Sequence, residues 1–261
     1  MANDRKYIGL IPAAGYATRL ADLTCSKEIF PIRYKNHKQQ NIEFPVCKML
    51  LDAYKNSGIK DICIISREDK TDVAKALGNG EQFDVSLSHL YTQKTTGVAY
   101  TLDKAYAFVQ DSHIALGFAD IIFKPVNAFS KLISKQQSSH ADVVLGLFPA
   151  EKPSKMDMVE FDDSNHIQAI HIKPKKTTLQ WTWILAVWKP TFTEFMHQTL
   201  TGKLKQAEHD AEMHVGRVFQ LALDAGLQFD TVMFNDGKLI DIGTPDDLNN
   251  VANRLKNENW F

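Results

Sequence analysis

Apolar positions in this chain fall in short blocks, separated by longer stretches in which apolar residues recur three or four apart. Ile8, Leu10 and Ile11 make the first block, long enough for a buried strand. Pro12 is expected to stop it, and Ala13, Ala14 and Gly15 follow with almost no side chain. In 43–58, Val46, Met49, Leu50 and Ala53 share one helical face, with Pro45 suited to the first turn and Gly58 to the stop. A strand over 61–66, a helix over 71–77, a strand over 84–91, a helix over 97–109, a strand over 114–118 and a helix over 126–134 come next. This alternation predicts an α/β fold, a mainly parallel sheet flanked by helices. Ligands of such sheets sit beyond the carboxyl ends of the strands. The loop after Ile11 and the segment 117–120 both lie at such ends.

The rhythm changes after a strand over 141–147. Segments 158–161, 167–172 and 182–187 read as strands with no helix between them, and Asp162-Asp163-Ser164-Asn165 is a turn signal. A small antiparallel extension is expected there. A helix over 190–200, a polar loop over 201–209 and a helix over 211–225 lead to late strands over 228–233 and 239–242. The last helix, 245–253, has Thr244 as N-cap and Asp247 placed for a capping box. With no repeat, low-complexity segment or linker, 1–261 reads as one domain.

Composition changes this picture little. A chain of 261 residues is within reach of one α/β domain and buries about 70–75% of its unfolded surface. Lys plus Arg number 30 against 31 Asp plus Glu, a net charge of -1. No global field therefore draws the protein to nucleic acid or acidic membranes, and any affinity for a phosphorylated ligand must come from a local cluster. The charged start MANDRKYIGL leads into a run too short for a signal peptide or membrane span. Cys25, Cys47 and Cys63 lack metal spacing, which points to a reduced, cytoplasmic location. Cys63 reads as a buried thiol; Cys25 is either reactive or a bystander. His113, His166, His171 and His214 show no zinc spacing.

Candidate chemistry concentrates in 8–32. A bare loop after a strand lets a ligand approach the backbone, whose N–H groups can then meet an anion. Arg19 and Lys27 add two positive charges. Neither a P-loop nor a dinucleotide Gly-x-Gly-x-x-Gly is present. Pro12-Ala13-Ala14-Gly15-Tyr16-Ala17-Thr18-Arg19-Leu20, followed by Ser26-Lys27-Glu28-Ile29-Phe30-Pro31-Ile32, resembles the signature loop of sugar-1-phosphate nucleotidylyltransferases. Ala17 stands in place of that loop's second Gly, and Ser26 in place of the Pro before the Lys, where it is expected to loosen the approach to Lys27.

Other segments extend the resemblance. Asp120 ends a strand, where it is either a turn former or a ligand for a hard cation. Asp241 lies in an apolar strand, where an acid is costly unless paired, capping or metal-bound. Asp241-Ile242-Gly243-Thr244-Pro245 matches the family's last motif. The resemblance makes Asp120 and Asp241 ligands of Mg²⁺, Arg19 a contact for the β/γ-phosphates and Lys27 one for the α-phosphate. It makes Ala13, Ala14, Gly15, Gln93 and Gly97 nucleotide contacts, with Gln93 and Gly97 at the base, and Lys173 the holder of the acceptor's phosphate. The family's Glu before that Lys, which holds sugar hydroxyls, is here Ile172. Trp181 and Trp183 share a strand face and serve either the core or the pocket.

The resemblance implies a Rossmann-like, GT-A-like nucleotidyltransferase fold. Residues 1–140 would form the nucleotide-binding half, and 141–261 the acceptor-binding half with the second metal ligand. It also implies transfer of NMP from an NTP (dTTP or UTP favoured, CTP admissible) to a sugar 1-phosphate. Two alternatives stay open: a non-sugar phosphate acceptor, and a non-catalytic nucleotide-sensing homologue. Relatives often form homo-oligomers, and a chain that ends soon after the last motif is expected to lack an allosteric nucleotide site.

Overall fold

The computed structural model describes residues 6–16, 23–35, 39–162, 164, 166–202, 212–257 and 260. Strand β1 (Tyr7–Ala13) is central, with parallel partners β4 (Asp61–Arg67) and β6 (His113–Leu116), and β5 (Ser86–Thr92) lies parallel outside β4. On the other side, β11 (Trp181–Trp188) runs antiparallel to both β6 and β8 (Val143–Pro149), and β12 (Phe229–Met233) lies parallel beside β8. The main order is therefore β12-β8-β11-β6-β1-β4-β5, one reversed strand in an otherwise parallel sheet. The antiparallel pair β9 (Met158–Phe161) and β10 (Ile167–His171) joins β11 at Thr182.

Pro12 does not end β1. The ladder to β6 stops at Leu10 opposite Leu116, so Pro12 pairs only with Ile65 of β4 and no partner on the β6 side requires its missing N–H. Three short strands are not foreseen by the hydrophobic pattern. Strands β2 (Pro31–Lys35) and β3 (Asn41–Pro45) form a hairpin, which delays α1 to Lys48–Asn56 and places Pro45 in a strand. The third, β7 (Ile121–Lys124), pairs antiparallel with β13 (Lys238–Asp241). The helix expected over 97–109 is two, α3 (Val98–Asp103) and α4 (Tyr106–Val109), because Lys104 and Ala105 donate to the carbonyls three residues back and tighten the chain into a turn.

Helices α2 (Thr71–Leu77), α5 (Ala128–Ser139), α6 (Pro190–Leu200), α7 (Val215–Asp224) and α8 (Pro245–Asn257) complete the fold. Thr244 caps α8 as expected: its Oγ1 accepts from the Asp247 N–H at 3.3 Å and donates to the Asp247 carboxylate at 2.6 Å. The loop expected over 201–209 lies largely outside the described residues. One apolar cluster on the α1 and α5 side of the sheet draws Ile11, Tyr54, Phe129, Phe148, Ile184 and Phe234 from both ends of the chain. A second, on the α6 and α7 side, is built around Trp188, Phe192 and Phe219. A third packs Ile32, Val46, Ile122, Ile240, Val251 and Leu255 around the β7–β13 pair.

Ile240 is 1% exposed in that third cluster. Ile240→Ala is expected to lower unfolding stability by about 2–5 kcal/mol, the range for a buried branched aliphatic truncated to Ala, as measured by chemical denaturation.

Candidate active site

The carboxyl ends of β1, β4, β5 and β6 meet the β7–β13 pair, and the site residues gather there. In the loop after β1, three successive carbonyls are held from the β4 side. Lys70 Nζ donates to the Ala13 carbonyl at 2.8 Å, and Arg67 Nη1 donates to those of Ala14 and Gly15 at 3.1 and 2.9 Å. In a trans peptide the N–H points opposite to the C=O. The N–H groups of Ala14, Gly15 and Tyr16 therefore face away from Arg67 and Lys70, and among the described residues no backbone group accepts from them. That is the concave run of donors an anion needs. A Cβ built on Gly15 meets nothing within 4 Å. Arg19 lies outside the described residues.

Lys27 starts a single 3-10 turn, Lys27–Ile29. Glu28, the next residue, is buried at 3% exposure and pairs with Lys70 Nζ at 2.6 Å. Ser26 does not loosen the approach. Its N–H and Oγ donate to the two oxygens of Asp72 at 2.7 and 2.8 Å, which clamps the turn onto α2. Arg67, Glu28, Lys70 and Asp72 are thus a supporting layer that sequence reasoning missed. The available signal was that Arg67 and Lys70 follow the carboxyl end of the strand beside β1.

Lys27 Nζ is bonded to the Asp120 carboxylate. Burial alone would lower the lysine's pKa, but Asp120, then Glu28 and Asp241, reverse this and hold it above its ordinary value. Asp241 arrives through the sheet register: Ile121 opposes Asp241, and the Ile242 N–H donates to the Asp120 carbonyl at 2.9 Å. The side chain keeps an open face to the cleft. Loss of hydration, then the neighbouring Asp120, raises its carboxyl to about 6 against the pull of Lys27. Two oxygen-donor carboxylates, one of them poorly compensated, suit a hard divalent cation. Among the described residues no third carboxylate, His or Cys joins them. A cation held by these two carboxylates would leave other positions for water and phosphate oxygens, which suits Mg²⁺.

A cavity of about 190 Å³ opens beside Asp241 and contains Lys173, Lys155, Asp157, Trp183 and His214. Lys173 follows β10 with φ at +42°. Trp183 belongs both to this cavity and to the second apolar cluster, whereas Trp181 only packs against that cluster. Gln93 is exposed directly after β5, next to Lys94, whose Nζ lies 5.5 Å from the Tyr16 ring centroid. Gly97 has φ +120°, and a Cβ there would lie 2.4 Å from the Met213 carbonyl oxygen. That packing against backbone by itself requires glycine. Burial, then Asp72, pushes the Cys25 thiol upward, so it is not an activated thiolate. Cys47 and Cys63 are buried free thiols.

Among the described residues, a run of backbone donors with no backbone acceptor, a lysine and two carboxylates meet at one end of the parallel strands, an arrangement suited to phosphorylated ligands. The chain belongs to the nucleotidyl transferase family, whose model matches residues 8–258, and it is an enzyme of the sugar-phosphate nucleotidyltransferase type. A glucose-1-phosphate thymidylyltransferase of Neisseria gonorrhoeae is 24% identical over 247 residues, 94% of this chain and 81% of that protein. A Bacillus anthracis structure assigned as a glucose-1-phosphate thymidylyltransferase and solved with sucrose has the same fold, with TM-score 0.81, 19% identity and 96% of each chain covered. So has a UDP-glucose pyrophosphorylase in complex with UDP-glucose, with TM-score 0.77, 16% identity, and 97% of this chain and 99% of that one covered. No helix among the described residues is long and apolar enough to cross a membrane.

Arg67→Ala frees the Ala14 and Gly15 carbonyls. It is expected to weaken binding of a nucleoside triphosphate by about tenfold or more, the effect of one lost charge-assisted hydrogen bond, with little change in melting temperature. Titration calorimetry of wild type and variant checks this.

Proposed function

We propose that the protein transfers a nucleoside monophosphate from a nucleoside triphosphate to a sugar 1-phosphate, giving an NDP-sugar and pyrophosphate. The preferred triphosphate is dTTP or UTP, with CTP admissible. The observation that carries this reading is the assembly of Lys27, Asp120 and Asp241 beside the free N–H run of the β1 loop, with Lys173 in the adjoining cavity. An oxygen of the acceptor phosphate attacks the α-phosphorus, the bond from that phosphorus to the α–β bridging oxygen breaks, and pyrophosphate leaves with that oxygen. The attacking phosphate is already an anion, so no general base is needed. The protein's part is positioning and charge neutralisation.

The roles divide by position. The N–H groups of Ala14, Gly15 and Tyr16 hold the β- and γ-phosphates, and the resemblance gives Arg19, outside the described residues, the same role. Lys27, kept charged by its carboxylate neighbours, neutralises the α-phosphate. Gln93 and Gly97, at the mouth beyond β5, meet the base. Lys173 holds the acceptor's phosphate. Asp120 and Asp241 would hold Mg²⁺, which when bound supplies positive charge to the triphosphate oxygens.

The apolar Ile172, where the resemblance leads one to expect a Glu that holds sugar hydroxyls, favours one second reading, the same transfer to a non-sugar phosphate. Pyrophosphate release with Mg²⁺, tested across the common triphosphates and a panel of sugar and non-sugar phosphates, decides between them. We expect release that depends on one triphosphate and one sugar 1-phosphate. Triphosphate binding with no release for any acceptor would overturn the transfer reading. Lys27→Ala is expected to lower kcat by about 10²–10³, the cost of one preorganised charge contact, with the fold intact by circular dichroism. Turnover like that of the wild type would remove Lys27 from the mechanism.

A further inference from the structure

Among the described residues, two buried polar atoms at the cavity beside Lys173 lack a hydrogen bond of good geometry, and they differ in kind. Asp157 Oδ1 can only accept a hydrogen bond while ionised, and Trp183 Nε1 can only donate one. Burial holds the Asp157 carboxyl above its ordinary range against the pull of His214, of Lys173 (whose backbone N–H also reaches the carboxylate) and of the neighbouring indole N–H, which lies beside the carboxylate at a geometry short of a hydrogen bond. Trp183 is 7% exposed, and what surface it keeps belongs, with that of Asp157, to the cavity. A buried unsatisfied polar group costs about 1–3 kcal/mol, and two of them side by side in a cavity ask for a ligand group that serves both.

The surroundings fix the placement. In β9–β10 the register sets His171 opposite Met158, so the next pair outward is Ile172 beside Asp157. Ile172 is apolar, and the Asp157 carboxylate stands one step across the strand pair. The fold keeps room for it: a Cβ on Gly216, in the first turn of α7, would lie 2.4 Å from Asp157 Oδ2 and 2.7 Å from Ile172 Cδ1. Ile172 therefore turns toward α7 and the second apolar cluster. Lys173 and His214 lie near enough to act on the Asp157 charge. A group bound between Asp157 and Trp183 would therefore lie within reach of a phosphate held by Lys173.

We infer that Asp157 and Trp183 together read one hydroxyl of the acceptor, which donates to Asp157 Oδ1 and accepts from Trp183 Nε1. A hydroxyl carries donor and acceptor on a single atom. An ammonium would satisfy Asp157 and leave the indole N–H unpaired, and an alkyl group would leave both. Asp157, the residue just before β9, then supplies the hydroxyl contact. The inference rests on the sugar-phosphate reading above and deepens it by choosing the polar acceptor over the apolar one.

The test uses the full chain, Mg²⁺ and dTTP or UTP. The acceptors are glucose, galactose, mannose and N-acetylglucosamine 1-phosphates, phosphoethanolamine and n-butyl phosphate, followed by the deoxy analogues of the best hexose. In the wild type one deoxy analogue should lose about 10- to 100-fold in kcat/KM, the worth of a charge-assisted hydrogen bond. Asp157→Asn, Asp157→Ala and Trp183→Phe should shrink that ratio toward one. If Asp157 only seats Lys173, every acceptor weakens alike and the ratio survives, which overturns the inference; so does preference for n-butyl phosphate or phosphoethanolamine. If the wild type releases no pyrophosphate at all, the transfer reading fails, and calorimetric Kd values for the same hexose phosphates decide this inference alone. A parent-to-deoxy ratio that collapses in the variants upholds it. A ratio that persists, or absence of binding to the wild type, rejects it.

Discussion

The site depends on one pairing of two short strands. Asp120 and Asp241 lie far apart in the chain, and the β7–β13 ladder alone sets them on neighbouring backbone positions. The pair is cheap to describe and costly to maintain. Two carboxylates and a lysine are concentrated where hydration is poor, and the Asp241 carboxyl rises to about 6 as a result. Eight residues of ladder do not offset such crowding by themselves. Ile122 and Ile240, at 0% and 1% exposure, anchor the pair in an apolar cluster shared with α8 and the β2–β3 hairpin. The C-terminal helix and the hairpin after Lys27 are thereby tied to the same few atoms of chemistry.

The loop after β1 is held by the opposite means, cations gripping backbone carbonyls. Lys70 is nearly as buried as the core around it, and it bridges the Ala13 carbonyl and Glu28. A buried ion pair is weak support for stability, since its desolvation offsets much of its attraction. Its value here is geometric. It fixes which way the peptide planes of the loop face, and through Glu28 it fixes where the Lys27 turn sits. Fixed peptide planes make a loop rich in alanine adequate where a glycine-rich one would be expected. Conformational freedom matters less once each carbonyl has an assigned donor.

The main strands were legible because each is an apolar block of the right length, and the parallel arrangement followed from alternation. Strands β2, β3 and β7 were not, because each is short and leans on a partner distant in sequence or on a hairpin turn that leaves no period-2 signature. Asp120, Asp241, Lys27 and Lys173 were readable as motif residues. Their meeting at one place was implied by the resemblance and could not be derived from spacing. Asp72 and Asp157 were invisible, since each matters only through a contact across strands or onto a helix, and Arg67 and Lys70 offered only their place at the carboxyl end of the strand beside β1. Ser26 shows the reverse failure. Replacing a proline suggests slack in isolation, and the slack is removed by Asp72, 46 residues further on.

Asp157 and Ile172 carry this argument into the acceptor cavity. On paired strands, chemistry can be exchanged between cross-strand neighbours without moving the backbone, because both side chains project from the same face of the ladder. A carboxylate at Asp157, and not at Ile172, places the charge one strand spacing away from the strand that leads to Lys173. The shift alters which part of a ligand the carboxylate can reach. It also needs space on the far side, which Gly216 provides at the start of α7. Fold and phosphate chemistry can thus stay fixed while acceptor choice moves, and the residues that set that choice are found by asking which buried polar atoms the folded chain leaves unanswered.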